Sequence, residues 1–416
     1  MMIHRRRWKS GSFSTLQSLR AGGGRKTLPT VSSVADDGDC RDDDSDDDDD
    51  DDSDSETVLL PGSATITGQQ SKRSSVFWLI LTVIITGAGV VLTLEIIRTL
   101  SQQPERFGDT NNNNNRAAIC AIQKGAVRYL DEWVQYHLLA VGFEDIYLYD
   151  NSDDFEIQAW YHQSLDDTST TVSTASSSDR SNKLKQIIHI RHFPGTARQN
   201  EAYTHCIKQI QKARSHQWIA FIDIDEFVVL RDTQQYPTIS DFLESLPPEY
   251  GGLAMNWVSF YWNHQMHYQD LPVTMRFQNR SDHATNRHIK TIARTHLVRK
   301  VSNPHFVDYL LLFRWWIHTY DTNGNIVEGP FNYELVDDQI VVYHYQCKSL
   351  EEYKERCSRG RATTSKEEWS SQLACQSDEH IMRKIGKFPE SIKDDAPWQL
   401  LMEKVPGYAN KYTNST

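Results

Sequence analysis

The chain has 416 residues, 24% of them charged and 38% hydrophobic, with a formal net charge of −12 at neutral pH. That length holds two or three domains, but the first 75 residues cannot be one. A basic patch (Arg5, Arg6, Arg7, Lys9) gives way there to aspartate running almost unbroken from Asp36 to Asp54, a block that repels itself and buries nothing. The net charge therefore says little about any folded part. The sequence has no C-x-x-C spacing, which argues against structural zinc, and no G-x-G-x-x-G or phosphate-binding glycine loop, which argues against a dinucleotide or P-loop enzyme.

In chain order, residues 1–75 read as a disordered cytosolic tail. Residues 76–97 carry a single charge, Glu95. These 22 residues match the length of a membrane-spanning helix and lie too far from the N-terminus for a cleaved signal peptide. Basic residues flank the span on both sides and do not decide its orientation. The sequons Asn279-Arg280-Ser281 and Asn414-Ser415-Thr416 both follow it, which favours a lumenal C-terminal side. The expected organisation is a cytosolic tail, a single-pass type II anchor, a stem over 98–115 and one lumenal domain over 116–416. Cys357 and Cys375 are the expected disulfide pair, with Cys120 expected as a buried thiol in an apolar strand.

Within the lumenal part, residues 117–122 read as a strand, 127–141 as an amphipathic helix and 145–149 as a second strand ending at Asp150-Asn151. The Ser/Thr-rich stretch 164–182 reads as a low-complexity surface loop. Strand 187–190, helix 196–214 and strand 218–222 follow, with further strands over 253–258 and 340–343. This order implies an α/β domain with an open, mostly parallel central sheet and helices on its faces. Ligands bind such sheets beyond the carboxyl ends of the strands, where Asp150 and Asp223 both fall.

The strand over 218–222 is wholly apolar and ends in Asp223-Ile224-Asp225-Glu226-Phe227. Side chains on a strand alternate between faces, so Asp223 and Asp225 point the same way while Ile224 points back into the core. Two carboxylates on one face make a hard oxygen site suited to Mg²⁺ or Mn²⁺ bridging phosphate oxygens. The plain alternative is an acidic strand-to-loop boundary. His344, delivered by an apolar strand, is either a further ligand or a structural histidine.

Several segments together resemble glycosyltransferase family 92. They are Tyr129-Leu130-Asp131-Glu132-Trp133-Val134-Gln135-Tyr136-His137, Gly142, Ile146 to Ser152, then Gln199, Ala202, Tyr203 and Cys206, the Trp218 to Phe227 block, Lys290, His305, His344-Tyr345 and Lys348-Ser349. The resemblance implies a GT-A, Rossmann-like nucleotide-sugar domain and a metal-dependent transferase of the Golgi membrane. It implies Mn²⁺ or Mg²⁺ held by Asp223, Asp225 and His344, and contact of the nucleoside by Asp150 beside Asn151. It also implies a UDP-sugar donor, UDP-galactose foremost, inversion at the transferred sugar and a glycan acceptor. No nucleic-acid partner is expected. Relatives commonly carry Lys-Asn-Glu after the first strand, whereas Lys124 is followed here by Gly125-Ala126, so the role of that glutamate does not carry over.

Glycosyl transfer needs the departing diphosphate neutralised, for which Lys290 or Arg294 offers positive charge beside the metal. An inverting displacement also needs a carboxylate base, and Glu226 and Asp308 are the candidates. The aromatic run Trp257, Phe260, Tyr261, Trp262 and His264 is either an acceptor platform or core. A membrane-tethered glycan-binding protein without catalysis, on the same scaffold, is the rival reading.

Overall fold

The computed structural model of the chain describes residues 116–166, 184, 186–281, 286–310, 316–360, 375, 377–385 and 391–413. The tail, the span over 76–97, the stem, most of the loop over 164–182 and the second sequon lie outside them. Among the described residues no helix is long and apolar enough to cross a membrane.

The first strand, β1 (Ala117–Gln123), is apolar until its last residue and buried along its length, as a strand covered on both faces must be. It pairs in parallel with β2 (Asp145–Asp150), which pairs in parallel with β3 (Ile188–His192). On its other edge β1 pairs in parallel with β4 (Trp218–Phe221). The chain then turns sharply into β5 (Glu226–Leu230), and the long β6 (Tyr250–Ser259) follows. Next to β4 lies β8 (Ile289–Arg294), antiparallel both to β4 and to β6. The short β7 (Asn279–Ser281) precedes it and pairs outside the main sheet with β14 (Ser391–Lys393). A separate hairpin, β9 (Val298–Asn303) and β10 (Phe306–Tyr309), follows β8. Strands β11 (His318–Tyr320) and β12 (Ile326–Val327) extend the far edge of the sheet. Finally β13 (Ile340–His344) runs parallel to β6 and antiparallel to β5. The architecture is thus mixed α/β, with parallel pairings in the majority within the main sheet. The reversed β8 at its centre is the departure from the expected sheet.

That reversal matters for position. Strands β1, β4, β6 and β13 run one way, so Gln123, the residues after Phe221 and His344 end at one edge. Because β8 runs against them, its first residues, Ile289 and Lys290, arrive at that same edge, with Lys290 paired to Met255.

The expected helix over 127–141 forms as one run of changing pitch. A 3₁₀ turn (Val127–Tyr129) leads into α1 (Leu130–Gln135), and a π turn (Tyr136–Val141) follows. It ends at Gly142, whose φ of +89° is left-handed and favours glycine. The helix α2 (Glu156–Asp166) was not anticipated; it supplies the crossover that two adjacent parallel strands, β2 and β3, require. The amphipathic α3 (Gln199–Ala213) covers β1, burying Ala202, Tyr203, Cys206, Ile207 and Ile210. Cys206 on that face is disulfide-bonded to Cys120, with Cα atoms 6.4 Å apart, so Cys120 is not the buried thiol expected. The pair Cys357–Cys375 forms as expected, with Cα atoms 5.5 Å apart.

Candidate active site

The Asp-x-Asp lies in the turn between β4 and β5 rather than on a continuing strand. Strand alternation therefore does not set its geometry. Both carboxylates still reach one cavity at the carboxyl edge, but they meet different partners there. Asp223 faces the sheet and α3: its Oδ1 accepts from Gln199 Nε2 at 2.7 Å and Tyr203 Oη at 2.9 Å, and its Oδ2 from Lys290 Nζ at 2.8 Å. Asp225 faces the C-terminal part: Lys348 Nζ lies 3.4 Å from Oδ2, and His344 Nε2 lies 3.8 Å from Oδ1.

Their electrostatic states follow. Burial alone would push the Asp225 carboxyl up, but Lys348, His344, Arg356 and Arg359 hold it far below the usual carboxylate range. Lys290 is fully buried, which disfavours its charge, yet Asp223, Glu226 and Asp225 outweigh burial and keep it an ammonium. Glu226 is 0% exposed. Burial pushes its carboxyl well up, opposed by Lys290 3.5 Å away, and its Oε2 accepts from the Asp223 amide at 2.9 Å. It anchors the turn from behind and does not line the cavity, so it is not placed to take a proton from an acceptor.

The Glu-Trp-Val-x-Tyr-His block holds the strand that follows this turn. Trp133 Nε1 donates to the Glu226 carbonyl at 2.8 Å and Tyr136 Oη to the Val228 carbonyl at 3.0 Å. His137 Nδ1 donates to the Trp133 carbonyl at 2.9 Å, and its Nε2 accepts from the Val228 amide at 3.2 Å. Burial drives the His137 pKa down to about 3, so the imidazole is neutral and its tautomer is set by these two bonds. Three side chains of one helical run thus occupy the edge of β5 not paired with β13. Glu132 instead accepts from the Val273 and Thr274 amides at 2.6 and 2.9 Å, capping α4 (Val273–Arg276).

Across the cavity, His344 ends β13, opposite Glu226 on one side and Ser259 on the other. Its ring lies 4.1 Å from that of Trp257, which also stacks on His288 at 4.9 Å. Trp257, Phe260, Tyr261 and Trp262 are all buried. They are core, with only Trp257 reaching the cavity wall. His305, at the tip of the β9–β10 hairpin, also lines it. The wall opposite is basic. It carries Lys124 and Lys348, with Arg356 and Arg359 from one face of α5 (Leu350–Arg359). The arginines were not singled out from the sequence; their i, i+3 spacing after Lys348-Ser349 is the signal that could have found them.

The other expected site residues lie elsewhere. Asp150 stands at the end of β2 as expected, but it is 0% exposed. Its Oδ1 accepts from Gln123 Nε2 and the Ser152 amide, both at 2.9 Å, and its Oδ2 from the Ile157 amide at 2.7 Å. It shapes the passage from β2 into α2 and has no face toward the cavity. Asn151 is likewise committed, donating to the Phe193 and Gly195 carbonyls at 2.9 and 2.8 Å. Asp308 accepts from Ser302 Oγ at 2.5 Å and lies 3.6 Å from Arg299 and from Lys300, away from the cavity wall. Arg294 packs its guanidinium 4.2 Å over Trp218, at the opposite end of β8 from Lys290.

As a donor set, Asp225 oxygens beside a His344 nitrogen suit Mn²⁺ or Mg²⁺. The expected set of three is not assembled. Among the described residues no three His, Cys, Asp or Glu side chains are grouped to hold a metal, because Asp223 is turned to Lys290.

The sequence model of glycosyltransferase family 92 matches residues 123–378, which include every cavity residue named above. A family 92 protein of Oryza sativa subsp. japonica is 25% identical over 276 residues, covering 65% of this chain and 40% of the relative. One of Ricinus communis is 29% identical over 110 residues, 26% of this chain and 16% of the relative. The chain thus spans less than half of these relatives' length. A solved mannosyltransferase of Pyrobaculum calidifontis, in complex with GDP-mannose and Mn²⁺, aligns over 42% of this chain and 45% of its own. It is 14% identical with a TM-score of 0.20, too slight a likeness to carry an argument. The family match covers more than half of the chain, and the protein belongs to glycosyltransferase family 92.

Proposed function

We propose that the protein is a metal-dependent hexosyltransferase with a GT-A nucleotide-sugar domain. It moves a sugar, galactose foremost, from a UDP-sugar to a glycan or glycoconjugate acceptor with inversion. The observation that carries this is the meeting of Asp225, His344 and a basic wall in one cavity at the carboxyl edge of the sheet. Asp225 and His344 would hold Mn²⁺ or Mg²⁺, which when bound neutralises the leaving diphosphate as a Lewis acid. Asp223 positions the turn: three donors fix its carboxylate, and its own amide is tied to Glu226, so Asp225 is presented from a rigid support. Trp257 backs His344, with their ring centroids 4.1 Å apart.

Residues 76–97 would anchor the protein as a type II Golgi membrane protein with residues 116–416 in the lumen; the apolar run and the sequons support this. The test is calorimetry on the full chain in detergent, titrating a panel of UDP- and GDP-sugars with and without Mn²⁺. Metal-dependent binding of one UDP-sugar that falls at least tenfold in Asp225→Asn is the expected result. Equal binding with and without metal, or equal binding by the variant, would overturn the metal role, and no nucleotide-sugar binding by folded protein would overturn the donor site.

A further inference from the structure

We infer that Lys348, Arg356 and Arg359 form the anion site for the donor diphosphate, and that Lys348 serves it by leaving Asp225, on which it rests when no donor is bound. This rests on the reading of the cavity as a nucleoside diphosphate-sugar site, and it moves the phosphate contacts away from β8.

The residues singled out on β8 cannot supply that charge. Lys290 is sealed, with its ammonium 2.8 Å from Asp223 and 3.5 Å from Glu226. Arg294 gives its Nε to the Tyr250 carbonyl at 2.9 Å and lies over Trp218. What reaches the cavity instead is one face of α5 and the residue just before its cap. Arg359 Nη1 donates to the Gly125 carbonyl at 2.9 Å and Arg356 Nη1 to the Gln346 carbonyl at 3.3 Å. The Arg359 guanidinium has five donors in a planar fork, so its bond to Gly125 aims the group without exhausting it. Like charges brought together are unfavourable unless an anion joins them.

The group is also held rigidly. Ser349 and Glu352 form a reciprocal capping box at the start of α5. Glu352 further accepts a bidentate pair from Arg276 at 2.9 and 2.8 Å, and a bond from Tyr129 Oη at 2.7 Å. Lys348, immediately before this cap, has a φ of +32°, uncommon for a residue with a side chain. Its ammonium sits 4.9 Å from the Tyr129 ring centroid and 3.4 Å from Asp225 Oδ2. A cation from the chain thus stands at the carboxylate proposed to hold the metal. Metal and Lys348 compete for Asp225, and a diphosphate that draws Lys348 away favours the metal. Cation and diphosphate should therefore bind with positive coupling.

The test uses the full chain in detergent and four probes: Mn²⁺ alone, inorganic pyrophosphate, UDP and uridine. Lys348→Met and Arg359→Gln should each weaken UDP and pyrophosphate at least tenfold while leaving uridine unchanged. Lys348→Arg should retain pyrophosphate. With no nucleotide present, Lys348→Met should bind Mn²⁺ several-fold more tightly than the wild type. Thermal midpoints establish that each variant is folded, and Arg359→Gln carries the anion test if Lys348→Met is not. Unchanged UDP and pyrophosphate binding in both variants would overturn the anion site while leaving the donor reading intact. Pyrophosphate binding without UDP binding would keep the anion site and remove the donor reading. Mn²⁺ affinity unchanged or lower in Lys348→Met would overturn the competition, and a wild type that binds neither UDP nor pyrophosphate would overturn the proposal and the donor reading together.

Discussion

Lys290→Met is the sharpest probe of the support behind the Asp-x-Asp turn. Methionine is unbranched and one atom shorter than lysine, so the change removes the ammonium and little other volume. It leaves Asp223 with Gln199 and Tyr203 but without a cation, while Glu226, already pushed toward its neutral form by burial, becomes more so. Breaking a buried ion pair by removing one partner costs about 3–5 kcal/mol. The Asp223 side chain is 30% exposed, so water offsets part of this and about 3 kcal/mol is expected. Removing the stranded charge as well should recover much of it, so that Lys290→Met/Asp223→Asn is about 2 kcal/mol more stable than Lys290→Met alone. Urea denaturation at pH 7, followed by tryptophan fluorescence, measures all three variants against the wild type. A loss below about 1 kcal/mol for Lys290→Met, or a double variant no more stable than the single, would refute the clamp.

Three further outcomes test neighbouring parts. Glu352 is held at about 2 by Arg276 and Ser349 against its burial, and Asp145 at about 2 by His189 and His216 against its own. Both values are depressed, so their contributions, about 3 and 2 kcal/mol, are complete above pH 4.5 and fade as pH falls toward 2; an acid titration of the unfolding midpoint should show this loss, and Glu352→Gln should remove most of the larger part. Trp133→Phe keeps one aromatic ring but deletes the bond to the Glu226 carbonyl and part of a fully buried side chain, and should cost about 2–3 kcal/mol in stability and weaken Mn²⁺ binding, read by calorimetry. Gly142→Ala places a methyl 2.9 Å from Thr238 Cβ at a φ of +89°, and should lower stability by about 1–2 kcal/mol in the same urea assay.

The strands were legible because burial writes them plainly: the apolar runs over β1, β4 and β13 stop within a residue or two of where the strands do. The reversal of β8 was not, since an apolar strand reads alike in either direction. Asp223 and Asp225 were found through their spacing, but the reason they share a cavity is a turn, not strand alternation. Asp150 was misjudged for a related cause. A carboxylate at a strand end can equally cap the following helix, and α2, which decides between the two, has too weak an apolar stripe to be read. The pairing of Cys206 with Cys120 needed the packing of α3 across β1, which no local pattern states.

The reversed strand also explains why the two carboxylates of the turn behave differently. In a wholly parallel sheet β8 would present its last residues at the cavity edge, and Arg294, not Lys290, would stand near the turn. Running backwards, β8 brings Lys290 from its first turn of strand to the floor beneath Asp223, opposite Met255 of β6. One aspartate is thereby neutralised from within the sheet and made part of the scaffold. The other faces His344 at the end of β13 and side chains beyond it, among them Lys348. A symmetric pair in the sequence thus becomes two carboxylates with different partners in the fold, Asp223 on the buried Lys290 and Asp225 on His344 and Lys348.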